Sequence, residues 1–181
     1  MKKIFLTAST ILVFTLFVNA QLYSTSTAKI NFFSKTPVED ISATSVKALS
    51  VLNAQSHEIA FSVANTSFGF PNKLMEEHFN EKYMESEKFA NSTFKGKINE
   101  ELDLSKEGVY KVTVTGKLTI HGVEKNRTIP GTITISKETI ILQSEFKVAN
   151  VDHNITIPKL VGAKIAEEIS VMIEANLGLK K

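Results

Sequence analysis

The 181-residue chain carries 21 basic and 19 acidic residues, a formal charge of +2, 43% hydrophobic residues and no cysteine. The missing thiols exclude disulfides, thiolate nucleophiles and Cys-ligated metals. Lys2 and Lys3 hold the whole positive excess, leaving 19 bases against 19 acids, and Arg127 is the single arginine. Nucleic-acid binding calls for a clustered basic face, so no nucleic-acid partner is expected.

The chain begins with a positive pair, Lys2 and Lys3, followed by the mostly apolar run Ile4 to Val18 and then Val18-Asn19-Ala20. That order predicts an export signal over residues 1–20, cleaved after Ala20. The apolar run is short against the roughly 20 residues that span a bilayer, so no stable membrane span is expected after cleavage. With no cysteine after the run, a lipid anchor on an N-terminal cysteine is also excluded. The expected location is periplasmic or secreted, by Gram-negative-type export. The remainder, residues 21–181, shows no repeat, low-complexity tract or linker and fits one domain.

Alternation with period two dominates that remainder and argues for half-buried strands. The segments Ile30 to Phe33 and Ile41 to Val51 are strand-like with a less regular pattern, and Ile59, Phe61 and Val63 alternate cleanly. From Asn72 to Met84 the apolar residues Leu74, Met75, Phe79 and Tyr83 fall near helical spacing, with Glu76 and Glu77 early in the run, so a short helix is expected there. The longest alternation runs from Val109 to Ile120, with Tyr110, Val112, Val114, Gly116, Leu118 and Ile120 on one face and a turn at His121-Gly122. Ile129, Gly131, Ile133 and Ile135 follow, then Ile140, Leu142, Ser144, Phe146 and Val148, and finally Ile169, Val171, Ile173 and Ala175. A second short helix or turn is expected around Pro158 to Ala166. Seven or eight such strands make a barrel or a sandwich, and a strand of about a dozen residues, spanning roughly 40 Å, favours an elongated barrel.

Residues that carry chemistry do not converge on a reaction. His57, His78, His121 and His153 form no HxH, HxxxH or HExxH pair, and no metal site is expected. His121 belongs to a hairpin, His57 and His153 are placed on strands, and His78 on the helix is the candidate for contact with a ligand head group. Glu76, Glu77, Glu81, Glu85 and Glu87 crowd a lysine-interspersed segment and are expected to be solvated. No GxSxG elbow and no GxGxxG or GxxxxGK[ST] loop occurs, so neither an enzyme nor a cofactor is expected.

Two stretches resemble a known family. Residues 73–94, KLMEEHFNEKYMESEKFANSTF, look like the central signature of the YceI-like family, and residues 114–125, VTGKLTIHGVEK, resemble its GxLTxHGVxK hairpin. Two departures are Ala90, where the family usually has Pro, and the absence of His-containing strands over Thr27 to Phe33. The resemblance implies an all-β fold, an extended eight-stranded antiparallel β-barrel, lipocalin-like, with one or two short helices. It also implies a hydrophobic interior for polyisoprenoids or other long-chain amphiphiles. Because the family is bacterial, the N-x-S/T tripeptides at Asn65, Asn91, Asn126 and Asn154 are read as chance.

The expected lining is Phe61, Phe68, Phe70, Phe79, Tyr110, Val112, Val114, Leu118, Ile120, Ile133, Leu142 and Phe146, with Gly116 and Gly131 leaving room for the ligand. Residue pattern alone favours a packed core; the resemblance favours a tunnel. The expected function is non-enzymatic binding of a polyisoprenoid, quinone or fatty amphiphile. The alternative is an envelope interaction module with a filled barrel, contacting its partner through Asn72 to Phe89. A homodimer is left open.

Overall fold

A computed structural model describes residues 21–180, so the expected export signal lies outside the described residues. The seven alternating segments, with one further strand that the alternation did not mark, form eight antiparallel strands: β1 (Leu22–Lys35), β2 (Asp40–Asn53), β3 (Glu58–Ala64), the unmarked β4 (Asn91–Ile98), β5 (Gly108–Ile120), β6 (Val123–Ile135), β7 (Thr139–Ala149) and β8 (Glu168–Leu179). Each pairs with the next in sequence, and β8 returns to β1, closing an up-and-down barrel without a free edge.

The irregular patterns of β1 and β2 have a common cause. Their register shifts between Thr25 and Ala28 and again between Ala28 and Ile30. On β2 the buried set therefore changes parity, from Ala43 and Ser45 to Ala48, Ser50 and Leu52, while Val46 and Lys47 both face solvent. An extra residue in one strand flips every side chain beyond it, so strict alternation fails at a bulge.

Two long connections lie at the same end of the barrel. Residues 65–90 join β3 to β4 and contain α1 (Lys73–His78), continued by a single π turn, Phe79–Tyr83. The Asn72 side chain caps α1 by accepting from the Leu74 N–H at 2.8 Å. Residues 150–167 join β7 to β8, and the helix expected there is reduced to a 3₁₀ turn, Gly162–Lys164. The opposite end is packed solid: Leu52, Ile140 and Leu177 are fully buried, and Leu102 and Leu104 of the β4–β5 connection join the same core.

Three placements differ from expectation. His57 lies in the β2–β3 turn with φ of 59°, and His153 lies in a 3₁₀ turn, Asn150–His153, so neither is on a strand. Gly116 does not leave room for a ligand. A Cβ there would run into the Lys95 carbonyl oxygen and the Gly96 Cα, because β4 and β5 touch backbone to backbone where Gly96 pairs with Gly116. That contact is the reason for glycine at both positions.

Candidate functional site

The half of the barrel beneath the long connections is hollow. It encloses a cavity of about 540 Å³, within the range of small-molecule sites. The barrel is thus filled at one end and open inside at the other, because the leucines of the β4–β5 connection reach only the filled end.

The strands supply most of the walls through their inward positions. Phe61 on β3, Val112, Val114, Leu118 and Ile120 on β5, Ile133 on β6, and Leu142 and Phe146 on β7 all line the cavity. Phe68, Phe70 and Phe79 close its end together with Phe32 of β1. Their rings form one cluster: Phe79 stacks on Phe32 at 5.2 Å between centroids and meets Phe70 at 5.1 Å, and Phe32 lies 5.3 Å from Phe68. Offset and edge contacts of this kind add to what burial alone contributes. Of the expected lining, Tyr110 is elsewhere: its hydroxyl donates to the Lys106 carbonyl at 3.1 Å, outside the cavity. Gly131 does line the space.

Several lining residues were not in the expected set. Phe32 sits on the irregular strand β1, where bulges obscure the alternation. Ile155, Ile157, Val161 and Ile165 come from the β7–β8 connection, which folds over the cavity as a second cover. The Ile155-Thr156-Ile157 alternation was the available signal, but it sits in a segment with no regular structure.

Charge is almost absent from the lining. Among the described residues it is confined to Glu39 and Lys164, which pair with each other at 3.6 Å across the rim; the imidazole of His78 lies at the end of α1. Both members of the pair are partly solvated, so the contact ties the β7–β8 connection to the β1–β2 hairpin and contributes little stability. The cover is also tied by neutral bonds: Ala166 N–H donates to Ser34 Oγ at 2.9 Å, and Asn150 Nδ2 to the Ala166 carbonyl at 2.9 Å.

His121 and His153 act outside the cavity as braces. His121, at φ of 50° in the β5–β6 turn, meets Glu85 at 2.7 Å through Nε2 and the His153 carbonyl at 3.1 Å through Nδ1. Glu85 is held by this contact while its side chain stays about half exposed, so it is both paired and solvated. His153 is fully buried with Nδ1 donating to the Val123 carbonyl at 3.0 Å, while Nε2 has no partner. Burial pushes its pKa below the ordinary imidazole value, with the Val123 bond acting in the opposite direction. Among the described residues, no group of three or more His, Asp or Glu side chains is placed to hold a metal. Nor is any described helix long and apolar enough to cross a membrane.

A model of the YceI-like domain matches residues 13–177 of the chain. The fold is similar to a polyisoprenoid-binding domain from Saccharophagus degradans implicated in plant cell wall breakdown, at a TM-score of 0.76 and 13% identity, covering 90% of this chain and 100% of that one. It is also similar to BcnA of Burkholderia cenocepacia, at 0.70 and 17%, covering 83% and 96%. Against a Campylobacter jejuni YceI protein the TM-score is 0.57 at 18% identity, covering 100% and 99%. No curated protein matches the chain.

Proposed function

Because the chain belongs to the YceI-like family, we propose that its barrel is a non-enzymatic holder of one long-chain amphiphile: a polyisoprenoid, a quinone or a fatty chain. The observation that carries this is the cavity, walled by aliphatic and aromatic side chains, with its charged lining paired at the rim. The Saccharophagus relative is described as polyisoprenoid-binding, which favours an apolar chain as occupant.

Magnitudes explain why such a site works without a charged anchor. Burying a CH₂ is worth about 0.8 kcal/mol, so a chain of about sixteen carbons gains on the order of 12 kcal/mol before association and ordering costs. One neutral hydrogen bond to a head group adds about 1 kcal/mol. Burial sets affinity, and His78 at the end of the cavity biases which way the head group points. Eleven of the expected residues, Phe61, Phe68, Phe70, Phe79, Val112, Val114, Leu118, Ile120, Ile133, Leu142 and Phe146, form the proposed contact surface. Export to the periplasm or beyond, which the N-terminal pattern suggests, would place the holder among envelope lipids.

Native protein, purified without detergent and extracted into organic solvent, is expected to release a long-chain lipid detectable by mass spectrometry. No bound amphiphile in repeated preparations, together with no uptake of a fluorescent lipid analogue, refutes the proposal.

A further inference from the structure

We propose that the ligand passes in and out through the side of the barrel, between β6 and β7, and not through the covered end. The proposal rests on the binding function above and concerns its route. The β6–β7 ladder covers Thr132–Ile135 against Ile140–Gln143 and stops there, although β6 reaches back to Val123 and β7 onward to Ala149. By contrast, β5 and β6 pair along their whole length, and so do β7 and β8 over Thr139–Ala149.

The ladder ends two residues short of Pro130. The Pro130 carbonyl accepts from Ser144 Oγ of β7 at 2.6 Å, so this residue's polar edge faces β7. In a strand the N–H and C=O of one residue point to the same side. The N–H that proline lacks is therefore one the β7 ladder would have used. Beyond it, the strands are joined by that serine bond and by Arg127 Nη2 donating to the Lys147 carbonyl at 2.6 Å.

The same stretch is the wall shared by two spaces. Pro130, Gly131, Thr132, Gln143 and Ser144 border the internal cavity and also an outer groove of about 820 Å³. The other short ladder, β2 with β3, is sealed: residues 65–69 lie along it, with Thr44 and Gly69 exchanging backbone bonds of 3.2 and 3.0 Å and Ser45 meeting Ser67 at 2.7 Å. The covered end carries the four-phenylalanine cluster and is tied by the Glu85–His121 and Glu39–Lys164 pairs, and the far end is solid core. Parting the seam below the His153–Val123 tie breaks two side-chain hydrogen bonds; uncovering the end exposes a whole aromatic cluster.

The cysteine-free chain permits a clean test. A Cβ at Gly131 would lie 3.7 Å from the Ser144 Cβ, close to the roughly 3.8 Å of a disulfide. In the Gly131→Cys/Ser144→Cys variant, oxidised and verified by loss of free thiol, association and dissociation of a fluorescent long-chain fatty-acid analogue are expected to slow about tenfold. Reductant should restore both rates. That Cβ would also approach the Gln143 carbonyl oxygen to 2.9 Å, so opening variants provide a second arm should the pair fail to fold. Arg127→Ala, which leaves the cavity lining intact, and Ser144→Ala are expected to speed exchange severalfold. Exchange at the parent rate in the locked or the opened variants overturns the seam route while binding stands. A parent protein that takes up no probe overturns the binding function and this route with it.

Discussion

Asn65 shows how much one buried amide organises at the covered end. It is fully buried, its Nδ2 donates to the Phe89 carbonyl at 2.6 Å, and its Oδ1 accepts from Ser92 Oγ at 2.8 Å. Both ends of the β3–β4 connection are thereby pinned to one side chain. Asn65→Ala leaves two partly buried groups, the Phe89 carbonyl and the Ser92 hydroxyl, without this partner, so a loss of about 1–3 kcal/mol is expected in urea unfolding. His153 adds a pH dependence with a fixed sign. Burial lowers its folded pKa below the unfolded value of roughly 6.5, so unfolded chains bind the extra proton first. Its contribution is complete above that pH and is lost as pH falls through the lower, folded value. Thermal melts between neutral and mildly acid pH are expected to show a downward step that His153→Gln reduces; a step of equal size in the variant refutes the assignment.

At the scale of elements, the barrel depends on where strands approach or part. The Gly96–Gly116 contact brings β4 and β5 together more closely than any Cβ allows. Gly116→Ala must push those backbones apart, and overpacking of this kind costs about 1–3 kcal/mol. The midpoint in urea should fall with an unchanged slope. This position shows the limit of pattern reasoning: Gly116 and Gly131 share inward parity and both lie close to a neighbouring strand, yet only Gly131 also borders the cavity. The distinction depends on β4, some twenty residues away in sequence, and no local pattern carries it. The bulges of β1 and β2 act likewise, since a parity change can be seen only once the partner strand fixes the register.

For the molecule as a whole, the decisive property is that one half of the interior is packed and the other hollow. Because Val114 borders the empty cavity, Val114→Trp is expected to abolish uptake of a fluorescent lipid while the melting temperature changes by only a few degrees. Loss of the fold instead would mean that the space was needed for packing. A ligand at about 100 times its Kd adds about 2.7 kcal/mol to the parent's stability, and this shift should vanish in the Trp variant.

The sequence by itself determined β3 and β5 to β8, their inward faces, the absence of thiolate chemistry, and the turn at His121-Gly122, because period-two alternation and glycine at positive φ are local properties; β4, with Lys, Gly and Lys at 95–97, carried no such alternation. Only the tertiary structure decided which inward positions touch empty space. Leucines 102 and 104 and the isoleucines of residues 155–165 come from irregular connections, and the same valine or phenylalanine is core or lining according to which connection reaches it. The seam follows the same logic: Pro130 is an ordinary residue until closure of the barrel sets β7 beside it and gives the missing N–H a consequence.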